Sequence, residues 1–324
     1  MKIGNIELPE YPLFLAPMED VTDPSFRYMC KQYGANMVYT EFVASEALVR
    51  DVKKTFKKLE LEEHERPVGI QLYGHNIDVM AESAKIATEA KPDLIDINYG
   101  CPVKKIANRG AGAGMLRDIP KLIKMTEEIV KATHLPVTVK TRLGWDFDDL
   151  VIEDLAERLQ DTGIKALTIH GRTRSQMYRG QADWELIGKV KNNPRIHIPI
   201  IGNGDIDSPQ KAKEAFDKYG VDGIMIGRAT YGRPFIFKEI RHFLDHGEEM
   251  QALTIMEKVN LAKLHFKKSV EYKGAPRGVY EMRRHLISYF KGIPHFKEMR
   301  MKLVTTDEPE AVLDLIEEIG KKFG

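Results

Sequence analysis

Cys101 is one of only two cysteines in the chain and sits in Asn98-Tyr99-Gly100-Cys101-Pro102, ahead of a glycine-rich, basic stretch, VKKIANRGAGAGML. A thiol with an ordinary pKa of about 8.5 is mostly protonated at neutral pH, so a cysteine on an exposed loop of this kind can deliver a proton to a reaction centre. Cys30 falls in the middle of a helical stretch and reads as a core residue. Lys140 ends an apolar run and admits three readings: a Schiff-base nucleophile if burial lowers its pKa, a cation that stabilises negative charge on a reduced flavin ring, or a partner for a buried carboxylate such as Asp96 or Asp205. Two further segments, IGNGDI (Asn203, Gly204, Asp205) and IGRATYG (Gly227, Arg228), combine glycines that allow close backbone approach with an arginine fork suited to phosphate.

These residues need a frame that brings them together. Eight short β-rich runs supply it: PLFLA from Pro12, MVYTE from Met37, PVGIQL from Pro67, DLIDIN from Asp93, PVTVKT from Pro136, ALTIH from Ala166, IPIIGN from Ile198 and DGIMI from Asp222. Several are near-continuous apolar runs, the pattern expected of parallel strands covered by helices. Helix-start signals lie between them at Asp23-Pro24, Asn76, Asp118, Asp148, Asp183, Asp207-Ser208-Pro209 and Arg233-Pro234. Eight βα units in about 240 residues predict a (β/α)8 barrel rather than an open doubly wound sheet, because no break in the pattern marks a switch point. Barrel sites form at the C-terminal strand ends. Those ends carry Pro17, Met18 and Glu19 (first), Gln71 (third), Asn98 and Cys101 (fourth), Lys140 (fifth) and His170 (sixth), with Asn203 to Asp205 and then Gly227 and Arg228 last. The phosphate-type loops fall on strands seven and eight, where such barrels commonly bind phosphate. The glycine and alanine run at 110–114 is not a dinucleotide fingerprint and reads as a mobile lid.

From about residue 243 the strands stop and helices follow, near 250–270, 281–290 and 308–322, which predicts a barrel over 1–242 and a helical domain over 243–324. Overall the 324 residues carry 49 basic against 48 acidic side chains. Between Lys263 and Lys302, however, eleven Lys/Arg face three Glu, a local +8 that leaves −7 on the rest. That asymmetry suits a polyanion, although a solvated helical face has the same composition. The run at 51–66 reads as a solvated loop and helix. No stretch is long and apolar enough to span a membrane, and no Cys/His spacing encodes zinc; a cytoplasmic, metal-free monomer is the expectation.

Together the segments APMEDVTDPSFR, GIQLYG, DINYGCPVKK, VTVKTRLGW, LTIHGRTR, IIGNGDI and IMIGRA resemble those of the flavin-dependent tRNA-dihydrouridine synthases, most nearly the bacterial B-type branch. The resemblance implies FMN at the barrel mouth with NADPH or NADH as reductant. Pro17 and Met18, with Glu19 beside them, would line the flavin; Gln71 and Lys140 would contact its ring system and His170 would sit next to it. Asn203, Gly204, Asp205, Gly227 and Arg228 would hold the ribityl chain and phosphate. Cys101 would protonate C5 of a uracil that receives hydride at C6, and Asn98 would hydrogen-bond the base. Lys104 and the basic helical domain would contact tRNA, while Arg172 and Arg174 would face either RNA or the reductant's phosphates. Two other enzymes fit part of the pattern: a dihydroorotate-dehydrogenase-like FMN barrel acting on a small molecule, and a Lys140 Schiff-base aldolase. A non-catalytic RNA-binding protein would leave Cys101, Lys140 and the phosphate loops without a task.

Overall fold

The structure, a computed structural model, describes all 324 residues. Eight parallel strands form the barrel: β1 (Leu13–Leu15), β2 (Val38–Tyr39, resumed at Val43–Ala44), β3 (Val68–Tyr73), β4 (Leu94–Tyr99), β5 (Val137–Arg142), β6 (Ala166–His170), β7 (Ile200–Asn203) and β8 (Gly223–Ile226). The ring closes where β8 pairs β1 (Ile224 with Leu13) and a single parallel bridge joins Phe14 of β1 to Met37 ahead of β2. All eight predicted runs are strands. A short hairpin, Lys2–Ile3 with Ile6–Glu7, precedes them.

The covering helices are α1 (Pro24–Gln32), α2 (Ile77–Glu89), α3 (Ile119–Ala132), α4 (Ile152–Asp161), α5 (Trp184–Lys191), α6 (Pro209–Tyr219) and α7 (Ile236–His246). Asp23, Asn76, Asp118, Asp183 and Ser208 each accept a backbone N–H in the first turn, satisfying donors that a helix start leaves open. Asp148 does not start a helix. Its own N–H is taken by Asp146 Oδ1 in a loop turn, and α4 begins at Ile152 without a side-chain cap.

Four helices complete the chain: α8 (Ile255–Lys273), α9 (Ala275–Tyr289), α10 (Lys297–Thr305) and α11 (Pro309–Phe323). Helix α10 was not expected, and only Met299 and Leu303 of its nine residues are buried, too sparse a stripe to read. These helices share their own core around Phe266, Leu286, Phe290 and Ile316. Helix α7, which runs through residues 242 and 243, buries Ile236, Phe237 and Ile240 in the barrel core. At the seam Lys273 forms ion pairs with Asp23 and Glu281, and Phe26 of α1 stacks on His265 of α8. The 51–66 run is more than a solvated face, since Glu65 is fully buried against Arg27 at 2.9 Å.

Candidate active site at the C-terminal mouth of the barrel

Side chains alternate along a strand, so residues two apart share a face. Across β3, β4 and β5, Gln71, Asp96 and Thr138 stand in register. Two residues further on, Asn98, Lys140 and Thr168 match across β4 to β6, and two more bring Arg142, His170 and Asn203 level on β5 to β7. From these layers Gln71, Asn98, Lys140, Arg142, His170 and Asn203 line a cavity of about 600 Å³, within the range of cofactor sites. Pro17, Met18 and Glu19 wall it on one side, and Gly204, Asp205, Gly227 and Arg228 on the other.

Cys101 lines this cavity but is 8 % exposed, not the open loop thiol its sequence setting suggests. The reason is the glycine-rich stretch behind it. Residues Gly112–Arg117 form a 3-10 turn whose first five residues are buried, and Ala113 N–H donates to Cys101 carbonyl oxygen at 3.1 Å. A Cβ on Gly114 would lie 2.2 Å from the Ala107 carbonyl oxygen, so the stretch is a packed cap and not a lid. Burial pushes the Cys101 thiol up, only partly opposed by a backbone hydrogen bond at Val103 and by Arg142. It therefore holds its proton at neutral pH.

Lys140 Nζ donates to Asn203 Oδ1 at 3.0 Å, and Asn203 Nδ2 donates to the Met225 carbonyl at 2.8 Å. Burial and then Arg142 bring the lysine down to about 8, while Asp96 holds it up, so it is still mostly cationic at pH 7. His170 is held neutral: burial, then Arg142, Lys140, Arg172 and Arg228, push its pKa well below the usual value. Arg142, missing from the sequence-derived set, is buried two residues beyond Lys140, donates to the Gly100, Thr173 and Met177 carbonyls, and fastens the Cys101 turn to the loop after β6. Its spacing from Lys140 on one strand was the available signal. Phe42, Tyr178 and Tyr231 also line the cavity, and no local motif marks them.

At the opposite wall, the backbone N–H groups of Gly204, Asp205 and Gly227 donate to no acceptor of the protein. Gly204 has φ +131°, and a Cβ there would fall 2.6 Å from Ala182 Cβ. Asp205, at φ +57°, accepts from Arg172 at 2.7 Å and 2.9 Å and from Ala182 N–H at 2.8 Å. Arg172 is buried, and its guanidinium also serves the Arg179 and Gly180 carbonyls, so most of its donors are taken up in bracing Asp205 and the loop after β6. Arg228 is half-exposed over the Tyr178 ring. Glu19 is bound by Lys58 at 2.5 Å at the rim. Lys104 lies on the exposed turn Lys104–Ala107 outside the cavity wall, and Arg174 stacks on Trp145 with Arg117 also over that ring.

The basic helical segment divides in two. Lys263, Lys273, Arg277, Arg283 and Lys302 are neutralised by carboxylates of the chain. Lys267, Lys268, Arg284, Lys291, Lys297 and Arg300 form no ion pair, and Arg284 lies beside Tyr231 of the cavity wall.

Fold and cavity thus define a (β/α)8-barrel protein with a polar, anion-receptive pocket at its C-terminal mouth. Two solved structures share the fold: histamine dehydrogenase from Rhizobium sp. 4-9 (TM-score 0.58, 12 % identity, 100 % of this chain and 64 % of that one) and a morphinone reductase (TM-score 0.51, 12 % identity, 74 % and 89 %). The Dihydrouridine synthase (Dus) family model matches residues 14–322, and the chain belongs to that family. It is 40 % identical over 319 residues to a probable tRNA-dihydrouridine synthase of Rickettsia bellii, covering 98 % of this chain and 97 % of the relative. It is also 37 % identical over 311 residues to tRNA-dihydrouridine synthase B of Pseudomonas aeruginosa, covering 96 % and 93 %. The protein is an enzyme of this family, and no helix in it is long and apolar enough to cross a membrane.

Proposed function

We propose that this protein reduces the C5–C6 double bond of a uridine in tRNA, with FMN held in the barrel mouth and NADPH or NADH as the reductant. The observation that carries the reading is the placement of a protonated thiol, Cys101, in the same cavity as the cation Lys140 and the unfilled N–H donors of Gly204, Asp205 and Gly227. The cavity fits the cofactor at both ends. Unpaired backbone donors beside Arg228 suit its phosphate, and Lys140 suits a ring system that becomes negative on reduction. When bound, the flavin supplies hydride to C6 of the base.

The chain's own groups do the rest. Lys140, fixed by Asn203, places positive charge at the ring end; neutral His170 adds bulk there without adding repulsion among four cations. Cys101 gives its proton to C5, and the electron pair left by hydride addition at C6 forms the new C–H bond, leaving a thiolate that regains a proton from solvent. Asn98 orients the base. A uridine inside folded RNA must leave its stack at a cost of a few kcal/mol, which phosphate contacts from Lys104 and from the unpaired cations of the helical segment offset. The expected boundary at 242/243 falls inside α7, which packs on the barrel; we assign the barrel through His246 to catalysis and the helices from Ile255 onward to tRNA binding. The match of the family model through residue 322, helical segment included, favours this reading over a small-molecule flavoenzyme or a Lys140 aldolase.

The test is Cys101→Ala. It is expected to keep bound flavin that NADPH still reduces, and to lose dihydrouridine formation on tRNA. Full multiple-turnover activity in that variant would end the acid role.

A further inference from the structure

Behind Cys101, four side chains form one directed chain of hydrogen bonds. The Gly100 and Cys101 backbone N–H groups both donate to Asn98 Oδ1, at 3.0 and 2.9 Å. Asn98 Nδ2 donates to Gln71 Oε1 at 2.8 Å, and Gln71 Nε2 donates to Asp96 Oδ2 at 2.6 Å. The Thr138 hydroxyl donates to Asp96 Oδ1 at 2.5 Å. Asn98, Gln71, Asp96 and Thr138 are all buried.

A carboxamide can be turned end for end, so its direction must be set by groups that cannot turn. Here two backbone donors fix one end and a carboxylate, an acceptor only, fixes the other. Reversing either amide would set donor against donor between its two protein partners, at the cost of mispaired buried groups. The direction has a consequence for ligands. Both lone pairs of Asn98 Oδ1 are occupied, while Asn98 Nδ2 and Gln71 Nε2 each keep one hydrogen without a protein acceptor. Asn98 can therefore offer a ligand a donor and nothing else. A base edge that meets it must present a carbonyl oxygen; an exocyclic amino group would meet a second donor.

We propose that Asp96, which is outside the cavity wall, is a positioning residue: through Gln71 and Asn98 it fixes the donor polarity that selects a pyrimidine carbonyl and holds the turn that carries Cys101. The proposal rests on the uridine-reductase reading for the identity of the ligand, but the relay itself does not depend on it. For the relay, what matters at position 96 is an acceptor aimed at Gln71; the negative charge there, which helps to keep Lys140 cationic, is lost equally in asparagine and in leucine. An asparagine there can keep that acceptor and donate its amide to the Thr138 oxygen; a leucine cannot.

Full-length parent, Asp96→Asn and Asp96→Leu are compared in two measurements. The first is the rate at which iodoacetamide alkylates the thiol without cofactor or RNA; Cys30 is fully buried, so Cys101 reports. The second is the rate at which tRNA reoxidises the NADPH-reduced flavoprotein. Asp96→Asn is expected to stay within about threefold of the parent in both. Asp96→Leu is expected to alkylate about tenfold faster and to lose about tenfold to a hundredfold in the tRNA step, with flavin reduction by NADPH within about threefold of the parent. Equal losses in the two variants would show that charge, not direction, is what counts, and would overturn the proposal. So would a parent-like alkylation rate in Asp96→Leu. If that variant does not fold, Gln71→Met, which cuts the relay one link nearer the cysteine, is expected to show the same rise in alkylation, and a parent-like rate there overturns the proposal equally. A parent that leaves tRNA unreduced refutes the functional reading, while the thiol measurement still decides the relay.

Discussion

Of the eleven basic residues between Lys263 and Lys302, six are unpaired, and a test of RNA binding has to separate these from the five whose charge the chain already neutralises. The perturbation is a pair of matched variants. One removes three unpaired cations (Lys267→Ala, Arg284→Ala, Lys291→Ala); the other removes three whole ion pairs and leaves the net charge unchanged (Lys263 with Glu317, Arg283 with Asp307, Lys302 with Glu298). Each cation in contact with a phosphate releases counterions and adds about 0.9 to the slope of log affinity against log salt for duplex nucleic acid. Three such contacts amount to a slope smaller by about 2 to 3 in the first variant. The paired set should change it by less than about 1, because exposed pairs carry no net charge and are individually worth at most about 1 kcal/mol. The assay is equilibrium binding of unmodified tRNA across a KCl series, with NADPH oxidation by the flavin as the control for an intact barrel. An unchanged slope in the first variant, or the same fall in both, would refute the assignment of the helical segment to RNA.

Gly204→Val tests the phosphate end of the cavity. With φ +131° and Ala182 Cβ at 2.6 Å from the new Cβ, strain of about 1–3 kcal/mol should weaken FMN binding by roughly fivefold to a hundredfold while far-ultraviolet circular dichroism is retained; parent-like FMN affinity by fluorescence titration would count against the site. A second prediction concerns acid stability. Burial holds the His265 pKa at about 4 against an ordinary 6.5, with Asp23 opposing that shift. Between those values the unfolded chain binds the extra proton, so the stability of the neutral folded form is complete above about 6.5 and is lost as pH falls towards 4. In urea unfolding, the parent should lose about 2 kcal/mol relative to His265→Phe between pH 7.5 and pH 5. A pH-independent difference between the two would contradict a buried neutral imidazole.

The barrel was legible because its strands are short β-rich runs and most have a helix-start signal behind them, a pattern that local sequence carries. The cavity set was legible for the same reason: strand ends are points where polar residues need a justification, and Gln71, Lys140 and His170 have none in turn chemistry. What could not be read depends on contacts between distant segments. The burial of Cys101 follows from how Gly112–Arg117 folds over it, and Asp148 looked like a helix cap until a neighbouring aspartate took its N–H. Arg172 resembles a free surface arginine in HGRTR until Asp205, thirty-three residues on, is seen to occupy it. The basic stretch is the clearest case. Its composition predicted a polyanion surface, but Lys273 meets Asp23 from the far end of the chain, and only the folded structure tells spent charge from available charge.

The central claim is tested most directly by incubating the purified protein, reconstituted with FMN, with NADPH and unmodified tRNA, and then analysing the tRNA nucleosides by mass spectrometry. The account predicts a uridine that has gained two hydrogens, in amounts that follow NADPH consumed and vanish when FMN is left out. A protein that binds FMN and oxidises NADPH yet leaves every uridine unchanged would contradict it.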